Sequence, residues 1–91
     1  MNAKLRMEIS ILAKKYEIDR VILFGSRARG DNHERSDIDL AVSGKDFGIF
    51  ALDANESLNT LLKIDFVNLD AIDQNLRDEI DRDGVVLYEK A

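Results

Sequence analysis

A chain of 91 residues, 45% hydrophobic and 34% charged, has enough apolar mass for one compact domain over 1–91 and no room for a second. Its net charge of −5, with no basic run, argues against an electrostatic grip on a long nucleic-acid backbone. The lack of cysteine excludes disulfides, thiolate catalysis and cysteine-ligated zinc; no apolar stretch is long enough to cross a bilayer, so the expectation is a cytoplasmic protein with no membrane partner.

From Ala3 to about Glu17, apolar residues fall at Leu5, Ile9, Leu12 and Tyr16, the spacing of one helix face. "RVILF", Arg20 to Phe24, is a short unbroken apolar run that predicts a central strand covered on both faces. It stops at Gly25, where "SRAR" predicts a short helical turn. "SDIDLAV" then alternates, with Ile38, Leu40 and Val42 on a core face and Asp37, Asp39 and Ala41 on an acidic one. A stripe of Phe47, Phe50, Ala51, Ala54, Leu58, Leu61 and Leu62 predicts a helix from about Asp46 to Leu62. "KIDFVNL", Lys63 to Leu69, predicts a third strand, with Ile64 and Phe66 on the apolar side and Asp65 turned to the acidic side. Ile72, Leu76 and Ile80 support a helix from about Asp70 to Arg82, closed at Asp83-Gly84 by a left-handed glycine cap, and "VVLY" adds a last short strand. With no proline, linker or repeat, this order predicts a single α/β domain with helices packed on one sheet.

Aspartate is depleted in strands, so the acids of "SDIDLAV" call for a reason. Residues two apart on a strand share a face at about 6.5 Å, which aims Asp37 and Asp39 at one small volume. A divalent cation relieves the repulsion that results, and an oxygen-only ligand set suits magnesium or manganese. With Asp65 on a neighbouring strand, three carboxylates can hold two ions roughly 3.5 to 4 Å apart, the separation that serves phosphoryl displacement. The Gly25-Ser26 turn gathers free backbone N–H groups for phosphate oxygens; Arg27 and Arg29 both lie near enough to neutralise a polyphosphate, with Arg29 favoured if the turn is helical and Arg27 faces out. Taken singly, each feature has an ordinary account. A glycine-serine pair is a turn, Asp37 after Ser36 is a cap, the three arginines of the loop are solvated charges, and His33 faces solvent.

Gly25-Ser26, ten residues, Asp37-X-Asp39 on a strand and a lone Asp65 on a later strand together resemble the signature of the polymerase-β-type nucleotidyltransferase superfamily. "GSRARGDNHERSDIDLAV" resembles more closely the Gly-Ser-X-Ala-Arg-Gly…Ser-Asp-Ile-Asp-Leu pattern of the minimal nucleotidyltransferases, the MntA-like partners of HEPN-domain proteins. The terminal "DGVVLYEK" is similar to how those chains end. The resemblance implies a mixed sheet with helices packed against it and a nucleotidyltransferase that uses ATP and two magnesium ions. Gly25 and Ser26 would hold the triphosphate, Asp37 and Asp39 would bind both metals, and Asp65 would complete the catalytic-metal site and orient or deprotonate the attacking hydroxyl. The acceptor it implies is a tyrosine of a HEPN-domain RNase toxin, which makes the chain an antitoxin in a hetero-oligomer with that toxin. A non-catalytic antitoxin that masks its partner is the rival reading. Transfer to a small molecule ranks last, because no acceptor-binding domain is visible.

Overall fold

The computed structural model describes residues Met1–Ala91. Helix α1 (Ala3–Lys15) starts where the Asn2 side-chain oxygen accepts the Leu5 amide at 2.7 Å, and it ends on Lys14 and Lys15, cations that suit the negative end of the helix dipole. Glu17 then takes a left-handed conformation, φ 52°, to reverse the chain into strand β1 (Arg20–Phe24). The four-residue α2 (Ser26–Arg29) follows at once. Strand β2 (Ile38–Ser43), helix α3 (Phe47–Ser57), strand β3 (Ile64–Asn68), a 3-10 turn at Leu69–Ala71, helix α4 (Gln74–Asp83) and strand β4 (Val85–Glu89) complete the chain.

The strands form one mixed sheet in the order β3-β2-β1-β4. β1 runs antiparallel to both of its neighbours, while β2 and β3 are parallel. That parallel pair requires a crossover, which α3 supplies. On one face, α1 and α3 bury Val21, Leu23, Leu40, Val42 and Ile64. Phe50 is fully buried there and meets Tyr16 and Phe66 edge to face, at ring separations of 6.5 and 5.8 Å. Removing that ring would cost about 3–5 kcal/mol, because it joins both helices to the sheet.

The other face holds a smaller core of Ile22, Phe24, Ala41, Leu69 and Ile80, covered by the 3-10 turn and α4. β1 is thus covered on both faces, as its unbroken apolar run predicts. The face of β2 opposite the main core is not wholly acidic, however. Ala41 is fully buried beneath α4, and the acids are confined to the end of the sheet that α4 leaves uncovered.

Three local expectations need correction. Helix α3 ends at Ser57 rather than Leu62, because the Ser57 hydroxyl turns back to the Asp53 carbonyl oxygen at 2.7 Å and Leu58 is already extended. Leu62 packs on the core from the following loop, and Leu61 is fully exposed. The last helix starts at Gln74, capped by Asp73, whose side chain accepts the Leu76 amide at 2.9 Å; residues 69–71 form a separate turn. Gly84 is not left-handed: it has φ −67°, ψ 147°. Glycine fits there because a Cβ would collide with the Ile80 carbonyl oxygen and lie 2.8 Å from Ile22 Cγ2.

Candidate active site

Residues paired across neighbouring strands share a face of the sheet. Phe24 stands opposite Asp39, and Asp39 stands opposite Asp65, so one row across β1, β2 and β3 reads Phe24, Asp39, Asp65. The next row reads Ile22, Ala41, Val67 and lies under α4. The carboxylates are therefore the first residues beyond the small core. Asp37 is exposed, directly precedes β2 and is near enough for its charge to act on Asp39.

Gly25 follows Phe24 and brings the chain against this row. Its backbone, φ 75° and ψ −155°, lies in a region essentially closed to residues with a side chain. Space demands glycine as well, since a Cβ would overlap the Asp39 carboxylate and lie 3.2 Å from its Cγ. Ser26 opens α2 immediately afterwards, and the Gly25 carbonyl oxygen accepts the amides of Ala28 and Arg29, each at 3.1 Å. The amides at the start of such a turn have no partner within the helix, which favours an anion beside Asp39. Gly30, left-handed at φ 86° and ψ 10°, ends the turn.

The electrostatics of the row call for a cation. Burial raises the Asp39 carboxyl above the usual aspartate range; the charges of Asp65, Asp37 and Glu79 raise it further, and Arg29 opposes them. No three acids converge closely enough to hold a metal ion, and Asp65 turns to Lys63, 3.3 Å away. Like charges without a counter-ion turn apart, but the strands already set Asp39 and Asp65 about 4.8 Å apart along the hydrogen-bonding direction. Two carboxylates in register across neighbouring strands are an oxygen-only donor pair of the kind that suits magnesium or manganese.

Arg29 pairs with Asp31 through Nε at 3.2 Å and lies 3.6 Å from Glu79, with the charge of Asp39 nearby. Both pairs are partly exposed and thus exchangeable. Arg27 turns into the loop before β2 instead of facing out. An open hollow of about 400 Å³ is lined by Glu34, Arg35, Leu61, Leu62 and Lys63 and by none of the three acids.

Residues 8–91 match the family described as polymerase beta, nucleotidyltransferase. The chain belongs to that family. A Methanocaldococcus jannaschii protein, named provisionally as a protein adenylyltransferase, is 49% identical to this nucleotidyltransferase over 41 residues, which are 45% of this chain and 40% of that protein. The chain thus matches well under half the length of that curated relative. Among solved structures, a toxin–antitoxin crystallised with AMP-PNP superposes with a TM-score of 0.74 at 25% identity, over 93% of this chain and 73% of that one. A tri-AMPylated Shewanella oneidensis HEPN toxin in complex with its MNT antitoxin gives a TM-score of 0.70 at 22% identity, over 99% and 74% of the two chains, and shares the fold.

Two residues beside the candidate site carry no sequence signal. Glu79 reaches Asp39 and Arg29 from α4, where it is one of several acids on a polar helix face. Lys63 is a strand-flanking cation whose pairing with Asp65 depends on side-chain direction alone.

Proposed function

We propose that this nucleotidyltransferase is an ATP- and magnesium-dependent antitoxin that transfers AMP to a tyrosine of a HEPN-domain RNase toxin. The observation that carries the reading is the row of Asp39 and Asp65 in direct register with Gly25 packed on the Asp39 carboxylate, because it sets an anion-receptive turn beside acids that need a cation. Support for the acceptor comes from the relatives: a curated protein named for protein adenylyl transfer, and a toxin–antitoxin that takes a nucleotide analogue.

In the proposed reaction the tyrosine oxygen attacks the α-phosphorus of ATP in line with the bridging oxygen to the β-phosphate. The new bond is Oη–Pα, the bond from Pα to the bridging oxygen breaks, and pyrophosphate leaves. Asp37, Asp39 and Asp65 would hold magnesium, whose charge stabilises the attacking and leaving oxygens. Gly25 and Ser26 receive phosphate oxygens, and Asp65 orients the phenol and takes its proton. Arg29 exchanges Asp31 and Glu79 for phosphate, a charge-assisted contact of greater strength than either exposed pair.

The alternative is a non-catalytic antitoxin that masks its partner, and the observation on its side is that Lys63 pairs with Asp65. Purified protein, labelled ATP, magnesium and the folded partner decide between the two. The proposal expects label on the partner's tyrosine and its loss in Asp39→Asn with complex formation intact. Full protection by Asp39→Asn, or no label on any protein, supports masking.

A further inference from the structure

Asp37 is reached through a loop, residues 31–37, that has no regular structure and is largely exposed. Backbone of that kind keeps one position only if something outside its own chain path holds it. Arg27 does so from α2. Its Nε donates to the Ser36 carbonyl oxygen at 3.1 Å, and its terminal NH2 donates to the same oxygen at 2.9 Å and to the Glu34 carbonyl oxygen at 3.0 Å. Ser36 adds a second tie within the loop. Its hydroxyl accepts the His33 amide at 2.8 Å, and its amide donates to the His33 carbonyl oxygen at 3.1 Å. Ser36 directly precedes Asp37, while Arg27 directly follows Ser26. One guanidinium on the residue after Ser26 therefore holds the carbonyl of the residue before Asp37.

We propose that Arg27 is a positioning residue: by clamping the Glu34 and Ser36 carbonyls it fixes Asp37 relative to Gly25 and Ser26, and it does not serve as a charge on the nucleotide. What the positioning is for rests on the proposed nucleotidyl transfer; the clamp itself does not. The chemistry suits arginine specifically. A planar fork reaches two carbonyls of one loop in a fixed geometry, whereas a lysine ammonium is a point charge on a flexible stem. Nε and one terminal nitrogen of Arg27 are taken up by these carbonyls. Arg29, whose partners are the exposed Asp31 and the half-buried Glu79, is the arginine left to move.

The test uses the full chain as wild type, Arg27→Gln and Arg27→Lys, with backbone ¹⁵N relaxation in the nucleotide-free protein and steady-state AMP transfer to the partner. The clamp predicts new fast motion at the amides of residues 33–37 in Arg27→Gln. It also predicts a kcat lower by about 10- to 100-fold, the penalty of a carboxylate displaced by about 1 Å, with KM for ATP within about twofold of wild type. Arg27→Lys should recover part of the order and part of kcat. A raised KM with kcat retained would show that Arg27 acts as a charge on the nucleotide, and unchanged relaxation would remove the clamp; either overturns the proposal. Should Arg27→Gln fail to fold, the same split is read from Arg27→Lys. If the wild type transfers no AMP, the functional reading fails while the relaxation arm still decides on the clamp.

Discussion

Replacing Gly25 by alanine separates strain from function, because that one Cβ meets two obstacles. The backbone at φ 75°, ψ −155° lies in territory essentially reserved for glycine, and forcing alanine to hold it costs about 1–3 kcal/mol. A domain of this size loses about 4–8 °C in Tm per kcal/mol, so Gly25→Ala should melt roughly 5–20 °C below wild type. The same methyl would overlap the Asp39 carboxylate, with Cγ only 3.2 Å away, so either Asp39 or the turn must move. A displacement of about 1 Å at a reacting centre costs about 100-fold in rate. Gly30→Ala is the control. Gly30 is also left-handed, φ 86°, but nothing lies within 4 Å of its Cβ position. That variant should lose about 1–2 kcal/mol to the backbone alone and keep transfer within a few-fold. Thermal melts and AMP-transfer rates on the three proteins give the comparison. Equal loss of transfer in both variants would show that contact with Asp39 plays no part, and a Gly25→Ala protein that melts with wild type would show that the backbone is unstrained.

Asp39→Asn should abolish transfer by at least about 100-fold and raise Tm at neutral pH. Because the folded carboxyl titrates above its unfolded value of about 3.9, its ionisation destabilises the fold; the variant's advantage should therefore be complete above the folded pKa and vanish as the pH falls below about 4. A stability difference between the two proteins that ignores pH over that window counts against the assigned environment. Glu17→Gly should raise Tm by a few degrees, since relief of about 1–2 kcal/mol from the left-handed backbone exceeds the added entropy cost of about 0.5–1 kcal/mol. A lower Tm would mean that the Glu17 side chain contributes contacts that outweigh its strain.

Much of the site is legible in the sequence because strand periodicity is short and rigid. Alternation through Ile38, Leu40 and Val42 fixes the face of Asp39, and the pattern of Ile64 and Phe66 does the same for Asp65; the structure sets both acids in one row. The conformation of Gly25 follows from its place between a buried strand and a helical turn. What escapes the sequence depends on partners far along the chain. Whether Ala41 faces solvent depends on α4, more than thirty residues later. Glu79 and Lys63 enter through side-chain direction, which spacing does not encode. Helix ends are hidden where capping competes with apolar periodicity: Leu61 and Leu62 continue the stripe, yet the Ser57 hydroxyl and the extended Leu58 end the helix first. Gly84 shows the limit of residue-type rules, since close approach to Ile80 and Ile22, and not a left-handed cap, accounts for glycine there.

Calorimetric titration of ATP into the protein, with and without magnesium, decides whether Asp37, Asp39 and Asp65 with the Gly25-Ser26 turn form a cation-dependent nucleotide site. Saturable binding that requires magnesium and disappears in Asp39→Asn is expected. Binding that is absent under all conditions, or equally strong without the metal and in the variant, would mean that these residues form no such site.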